Sequence, residues 1–260
     1  MPDRRARDTR SARPARDSDE PTPSIWGIHA VEAALANPRR RILDLWMTDN
    51  AALRLGPAVE ARGITAERVH PKDLDRRLGT DTVHQGALIT VEPLAEIDLE
   101  ELAATGTSKG PLIVLDQVTD PHNVGAILRS CAVFGAAGLV MTRRNSPPLG
   151  GALAKAASGA LELVPVALIT NLARSLALLK DIGLEVIGLD GEAPGLLEDA
   201  PLAGPVAIVL GAEGKGLRQL TRDSCNRLCS IATGGAIDSL NVSNAAAVAL
   251  HLTAMRRRRG

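Results

Sequence analysis

The chain has 260 residues and no formal net charge, with 30 Lys and Arg against 30 Asp and Glu, so bulk charge does not indicate a nucleic-acid binder. Apolar residues make up 45% of the sequence but include only one Phe, two Trp and no Tyr, so the core has to be aliphatic, as in buried parallel strands covered by helices. The three cysteines form no CxxC pair and no apolar run reaches the roughly 20 residues of a membrane helix, so we expect a soluble, cytoplasmic chain without disulfides or metal.

The N-terminal third of the sequence divides into a tail and a small domain. Residues 1–22 are rich in Arg, Asp, Ser and Pro, and we predict a disordered basic tail. Residues 23–92 alternate between helical and strand patterns and predict a compact α/β domain. Its predicted helices and strands are 27–35, 42–47, a helix before 66–69, 71–78 and 87–91. The arginines of the tail, like Arg256 to Arg259 at the other end, either contact phosphate or are solvated, and the sequence leaves both open.

The remainder of the chain predicts a linker followed by a larger α/β domain. Residues 93–110 gain acids and small residues and are typical of a linker. Residues 111–260 alternate between strands and helices, which predicts a parallel sheet with helices on both faces. The predicted strands are 112–116, 138–142, 163–167, 184–189, 206–210 and 227–231, and the predicted helices are 124–134, 152–158, 171–182, one near 217 and 242–255.

Ligands of parallel α/β sheets bind outside the carboxyl ends of the strands, and the loop at residues 116–125 is the first unusual one there. Asp120 and Pro121 indicate a turn, and Asn123 is well placed to cap the helix that follows. Arg129 lies on that helix in an otherwise small or apolar stretch, so its guanidinium has to reach solvent, pair with an acid or face an anion. Each of these residues alone also fits a structural role.

Two further loops carry a concentration of polar and glycine residues. Residues 211–216 place Glu213 among three glycines, which allow the backbone to approach a ligand closely. Their spacing is GxxGxG, and neither GxGxxG nor GxxxxGK[ST] is present, so an ordinary dinucleotide or phosphate loop is weakly supported. Residues 234–244 lead to a helix start where Ser239, Asn241 and Ser243 are natural caps, and where anions also bind.

In combination and order, the three loops resemble the motifs of the SpoU family of RNA ribose 2'-O-methyltransferases, within the SPOUT superfamily. The matching stretches are residues 120–129, 209–217 and 239–243, within a resemblance that covers about residues 110–257. The stretches 27–31 and 84–86 further resemble the bacterial subgroup that methylates a guanosine ribose in large-subunit (23S) ribosomal RNA. That subgroup carries a ribosomal-protein-like RNA-binding domain at its N-terminus.

The resemblance implies a catalytic domain over residues 111–260 with a deep trefoil knot, which general topology rules exclude. It also implies S-adenosyl-L-methionine as cofactor, ribosomal RNA as partner and a homodimer. Five positions correspond to active-site residues of the family: Asn123, Arg129, Glu213, Ser239 and Asn241. Five others correspond to its cofactor-binding residues: Leu210, Gly211, Gly216, Ile231 and Leu240. Asn244 departs from the family, which more often has a small apolar residue there.

The role of Arg129 and the substrate remain alternatives at this stage. The family proposal that this arginine assists deprotonation conflicts with a guanidinium pKa above about 12, so we favour phosphate binding and alkoxide stabilisation. A transfer-RNA or antibiotic-resistance ribose methyltransferase keeps the chemistry and changes the RNA. A catalytically silent RNA-binding protein is a second alternative, although Arg129 and Glu213 are both present. A nicotinamide oxidoreductase fails for want of its fingerprint.

Overall fold

The structure is a computed structural model that describes residues 22–106, 109–235 and 239–259. The predicted basic tail therefore lies outside the described residues, apart from Thr22. No helix within these ranges is long and apolar enough to cross a membrane.

The N-terminal domain is a four-stranded sheet with helices packed against it. Its elements are β1 (Ser24–Trp26), α1 (Ile28–Ala36), β2 (Ile42–Met47), α2 (Asp49–Arg62), β3 (Glu67–Arg68), α3 (Pro71–Leu78) and β4 (Ala87–Val91). The strand order is β1-β4-β2-β3, in which only the β2 and β3 pair is parallel. Trp46 lies under the guanidinium of Arg77, which is 4.3 Å from the ring centroid.

Local signals fix the helix ends of this domain. Thr48 caps α2 by accepting a hydrogen bond from the amide of Ala51, and Gly63 ends the helix in the left-handed region with φ 66°. Pro71 occupies the first turn of α3, where its missing N–H costs nothing, and Asp73 accepts from the amide of His70. The helix predicted at 71–78 matches α3, whereas no bounds were predicted for α2.

The C-terminal domain is a six-stranded sheet covered on both faces. Its elements are α4 (Leu99–Gly106), β5 (Leu112–Asp116), α5 (Pro121–Phe134), β6 (Gly138–Thr142), α6 (Gly151–Ala157), β7 (Val166–Ile169), α7 (Leu172–Asp181), β8 (Glu185–Leu189), β9 (Val206–Gly211), α8 (Gln219–Ser224), β10 (Arg227–Cys229) and α9 (Val242–Arg259). The strand order is β10-β8-β9-β5-β6-β7, and every neighbouring pair is parallel.

Burial on both faces explains why these strands consist of consecutive apolar residues. In β5, Ile113 and Leu115 join one hydrophobic core, with α5, α6 and α9, whereas Leu112 and Val114 join the opposite core, with α4 and α7. All four are fully buried. Successive side chains of the strand point to opposite faces and therefore belong to different cores, as expected for a parallel sheet between helical layers.

The structure differs from the sequence expectations at several elements: β1 was not predicted, α5 begins three residues earlier than expected and α9 ends four residues later. The strand expected at 163–167 lies at Val166–Ile169, because residues 160–162 form a 3-10 turn first. The helix expected near 217 begins at Gln219, and the last strand ends at Cys229. The expected linker at 93–110 contains α4, whose Leu102 packs into the second core.

Candidate active site

The candidate site lies at the carboxyl edge of the large sheet, where the strand order reverses. The chain proceeds from β5 to β6 and β7 on one side, whereas β9, β8 and β10 lie on the other side of β5. The carboxyl ends of β5 and β9 are neighbours, since Asp116 is paired with Gly211. Ligand sites of open α/β sheets form at such a switch point.

Three side chains from the three predicted loops meet at this edge. The amide nitrogen of Asn123 donates to Oε1 of Glu213 over 3.1 Å, and the amide nitrogen of Asn241 donates to Oδ1 of Asn123 over 3.0 Å. The Asn241 nitrogen also donates to Oε1 of Glu213. We call these three residues the polar triangle. Glu213 is exposed, and its Oε2 makes no hydrogen bond to the described residues.

Asn241 connects the polar triangle to the start of α9. Its Oδ1 accepts from the amide of Ser243 over 2.9 Å, from the Ser243 hydroxyl over 2.5 Å and from the amide of Asn244 over 3.4 Å. It is therefore the N-cap of α9, as the sequence indicated. The helix starts normally with Asn244 at this position.

Asn123 does not cap α5, contrary to the sequence expectation. Asp120 caps the helix by accepting from the amide of His122 over 3.0 Å, and Pro121 occupies the first helical position. Asn123 thus lies within the first turn, where it is buried and its side chain points to Glu213. Because Asp120, three residues earlier, caps the helix, the side-chain amide of Asn123 can bond to Glu213.

Arg129 lies on the same helix but outside the polar triangle. Six residues at about 100° each turn it roughly 120° away from Asn123, about 9 Å further along the helix. Its side chain is exposed and has no hydrogen-bond or ion-pair partner among the described residues. An exposed guanidinium without a partner is available to an anion such as a phosphate.

The remaining predicted residues lie on or after β9, after β10 and before α9. Leu210 is buried in β9, Gly211 ends that strand, and Gly216 lies in the following loop with φ 63°. Ile231 follows β10 and is half-buried. Two residues near the start of α9 are exposed: Ser239, which makes no hydrogen bond within the described part of the chain, and Leu240, of which 44% is accessible.

Asp116 is a buried acid beside the candidate site that the sequence analysis did not single out. Its side chain is fully buried at the end of β5, and it accepts from Nε of Arg218 over 2.7 Å and from the amide of Arg218 over 3.1 Å. These bonds close the loop of residues 211–218, which carries Glu213. The signal in the sequence was a carboxylate directly after four apolar residues of a buried strand.

The cysteines do not offer a nucleophile to this site. Burial raises the pKa of the Cys131 thiol to about 12 and that of the Cys225 thiol to about 11, and it also raises the pKa of Cys229. Each thiol therefore stays protonated at neutral pH. No group of three or more His, Cys, Asp or Glu side chains within the described ranges is arranged to hold a metal ion.

Known proteins with the same sequence pattern are RNA methyltransferases. The SpoU rRNA methylase family matches residues 110–251, and the family described as RNA 2'-O ribose methyltransferase substrate binding matches residues 24–96. A 23S rRNA (guanosine-2'-O-)-methyltransferase RlmB from Shewanella oneidensis is 43% identical over 242 residues, which cover 90% of this chain and 97% of that protein. The protein of the same name from Photorhabdus laumondii is 41% identical over 233 residues, with coverages of 87% and 95%.

Solved structures show the same fold at lower sequence identity. The SpoU methyltransferase AviRb from Streptomyces viridochromogenes, in complex with AdoMet, superposes with a TM-score of 0.75 at 22% identity and covers 91% of both chains. An AdoMet-bound rRNA methyltransferase from Sinorhizobium meliloti gives a TM-score of 0.74 at 21% identity, covering 92% of this chain and 87% of its own. At these identities the likeness concerns the fold.

The fold and the site define a methyltransferase that acts on RNA. The parallel sheet, the small domain in front of it and the matches to both family descriptions agree on this class. The chain belongs to the SpoU rRNA methylase family. The resemblance noted in the sequence, the α/β fold with an N-terminal substrate-binding domain and the enzyme class are thereby confirmed. The trefoil knot stays a prediction.

Proposed function

We propose that this enzyme transfers a methyl group from S-adenosyl-L-methionine to the ribose 2'-hydroxyl of a guanosine in 23S ribosomal RNA. The observation that carries the proposal is the match to RlmB enzymes across both domains, at 43% identity over 90% of the chain in one case. The match includes the N-terminal domain, whose family description is RNA 2'-O ribose methyltransferase substrate binding, and this supports the same RNA as substrate. The polar triangle supplies the site at which the reaction takes place.

The residues at the carboxyl edge fit S-adenosyl-L-methionine. A side chain at Gly214, Gly216 or Gly234 would meet no atom within 4 Å, so the backbone of these loops is open to a ligand. Ile231 and Leu240 present accessible apolar surface to an adenine ring, and Leu210, Gly211 and Gly216 offer backbone groups. When bound, the cofactor supplies a methyl group already activated by its sulfonium.

The protein's own residues place the ribose and favour loss of the hydroxyl proton, which passes to solvent water. Positioning can supply much of the acceleration, since the methyl group needs no further activation. Arg129 binds the neighbouring phosphate and stabilises the alkoxide that develops on the 2'-oxygen. Glu213, whose Oε1 is fixed by Asn123 and Asn241, offers Oε2 to the ribose hydroxyls. Ser239 contributes a hydroxyl next to this group.

We further propose the division of labour along the chain. Residues 23–92 bind the RNA, residues 93–110 connect, and residues 111–260 catalyse, with the basic tail at 1–22 outside both domains. The N-terminal domain has two Trp and no other aromatic residue, so it recognises folded RNA by shape and phosphate contacts. The 8-residue helix α4 in the connecting segment belongs to the second core.

The proposed assembly is a homodimer in the cytoplasm. Val133 on α5 is 75% exposed and is one of several large apolar side chains at the surface of the catalytic domain. Covering it against a second copy would remove that surface from water. Sedimentation of the purified chain at micromolar concentration tests this, and a monomer at all concentrations contradicts it.

The test of the reaction is mapping of ribose methylation in ribosomal RNA from a strain that lacks the gene. We expect one guanosine of the large subunit to lose its 2'-O-methyl group, as read by mass spectrometry, and to regain it with the intact gene. Loss of a mark in transfer RNA with unchanged 23S RNA would favour the alternative substrate. No change in the methylation of any RNA would favour the alternative of a catalytically silent RNA-binding protein.

A further inference from the structure

A buried ionic cluster joins the N-terminal domain to the catalytic domain. The Arg40 guanidinium and the Glu162 carboxylate are 2% and 3% exposed, with Nη2 of Arg40 2.6 Å from Oε1 of Glu162. Nε of Arg40 lies 3.1 Å from both carboxylate oxygens, and Asn37 donates to Oε2 over 2.7 Å. Nη1 of Arg40 donates to the carbonyl of Glu92 over 3.0 Å. We call Asn37, Arg40 and Glu162 the junction cluster.

The surface around the junction cluster is packed as tightly as a core. Val31 and Ala34 of α1 belong to the same continuous hydrophobic core as Leu153 and Ala157 of α6. Domains joined by a flexible segment usually move unless their interface is large and apolar, and this interface is apolar. A continuous core of this kind favours one fixed orientation.

Glycines of the catalytic domain allow the close approach. A Cβ at Gly159 would lie 2.7 Å from Cβ of Ala33, and one at Gly151 would lie 3.0 Å from the ring of Trp26. Lys155 of α6 donates to the carbonyl of Val83 in the other domain. Contacts along the whole of α6 therefore hold the N-terminal domain.

The same helix also packs against the helix of the active site. A Cβ at Gly125 of α5 would lie 2.5 Å from Cβ of Ala156 and 2.8 Å from the amide nitrogen of Ala157. Gly125 is two residues from Asn123 and one turn from Arg129. The path from the N-terminal domain to the catalytic side chains thus passes through two directly packed helices.

We propose that Asn37, Arg40 and Glu162 are positioning residues for the RNA substrate. They hold the N-terminal domain in one orientation on α6, so that an RNA bound there reaches Arg129 and the polar triangle in a single register. This inference rests on the proposed function for its effect on methylation. The single fixed orientation of the two domains is a property of the protein alone and can be tested without RNA.

The chemistry of the cluster makes the orientation selective. A buried carboxylate or guanidinium is strongly disfavoured without its partner, so an orientation that separates Arg40 from Glu162 is costly. Apolar packing alone tolerates small shifts, whereas the four hydrogen bonds from Asn37 and Arg40 to the Glu162 carboxylate do not. The cluster therefore determines the angle between the domains, whereas the apolar contacts supply most of the free energy that holds them together.

The test compares Glu162→Gln with Glu185→Gln. Glu185 forms an exposed ion pair of the same chemistry with Arg227, 2.6 Å from Nε to Oε1, within the catalytic domain. We expect Glu162→Gln to raise KM for a 23S fragment at least about tenfold, with the S-adenosyl-L-methionine Kd unchanged. Glu185→Gln should leave KM and Kd at their wild-type values.

Hydrogen exchange on the protein without RNA tests the orientation separately. Amides of α1 and α6 should exchange at least about tenfold faster in Glu162→Gln, while those of β5 and β9 stay protected. Unchanged exchange together with unchanged KM overturns the inference. If Glu162→Gln does not fold, Asn37→Ala, which removes one bond to the carboxylate, should show the same selective pattern at smaller amplitude. A wild-type chain that does not methylate the RNA overturns the proposed function, whereas the exchange result still decides whether the domains are held.

Discussion

At the scale of single residues, Arg129 differs from the polar triangle in that nothing in the described part of the protein holds its side chain. We expect Arg129→Ala to lower kcat by about a hundredfold or more, as for loss of one group that stabilises developing charge. The cofactor Kd should not change, because the proposed partner of the guanidinium is an RNA phosphate and not the cofactor. Methyl transfer and calorimetry measure the two quantities.

The matched control for this substitution is Arg174→Ala. Arg174 is an exposed arginine on α7, which covers the opposite face of the sheet. It should leave both quantities unchanged. Near-normal turnover in Arg129→Ala would remove the guanidinium from the mechanism.

The thiols give a second expectation at this scale. A pKa of about 12 for Cys131 leaves roughly one part in ten thousand as thiolate at pH 8. Because pH 8 lies far below this pKa, the thiolate fraction grows about tenfold per pH unit and is lowest at acid pH. Iodoacetamide should therefore leave the folded protein unlabelled within minutes at pH 8 and label three sites in urea, as counted by mass spectrometry. Rapid labelling of the folded chain would contradict the buried environment.

At the scale of elements, the loop after β9 depends on Asp116. Asp116→Asn replaces one acceptor by a donor that faces Arg218, so the charge-assisted bonds, worth about 1.5–3 kcal/mol, are lost. Loosening of residues 211–218 should raise the S-adenosyl-L-methionine Kd at least about tenfold by calorimetry. Asp223→Asn on the surface of α8 is the control and should bind normally. Equal affinity in both variants would deny Asp116 this role.

The contact between α5 and α6 gives a second expectation for an element. Gly125→Ala forces these helices apart and should cost about 1–3 kcal/mol of folding free energy. Gly56→Ala in α2 places the same methyl group where no atom lies within 4 Å, and it should stabilise by about 0.5–1 kcal/mol. The two thermal midpoints should therefore move in opposite directions. A midpoint of Gly125→Ala at or above the wild-type value would show that the helices adjust freely.

At the scale of the whole molecule, the sequence predicted what local patterns determine. The strands at 112–116 and 138–142 are mostly apolar because both faces are buried, and their bounds were predicted correctly. The short acidic helix α4 was not, since its eight residues are stabilised by the second core and not by their own pattern. Tertiary packing therefore determines the helical structure of this segment.

Contacts between residues far apart in the sequence explain the other differences between the predictions and the structure. Asn123 was expected to cap α5, but Asp120 and Pro121 together perform that task and release it for Glu213, 90 residues away. The polar triangle was anticipated through the order of the family motifs and not through spacing. The Arg40 and Glu162 pair spans 122 residues, and no periodicity reports on it.

The placement of the two tryptophans has a practical consequence. Trp26 touches α6 at Gly151, Trp46 lies beneath Arg77, and the chain has no tyrosine, so all strong ultraviolet emission originates in the N-terminal domain. Separation of the domains should expose the Trp26 indole and shift its emission to longer wavelength before the far-ultraviolet dichroism of the sheet changes. Tryptophan fluorescence recorded during mild denaturation would then show whether the two domains separate before either one unfolds.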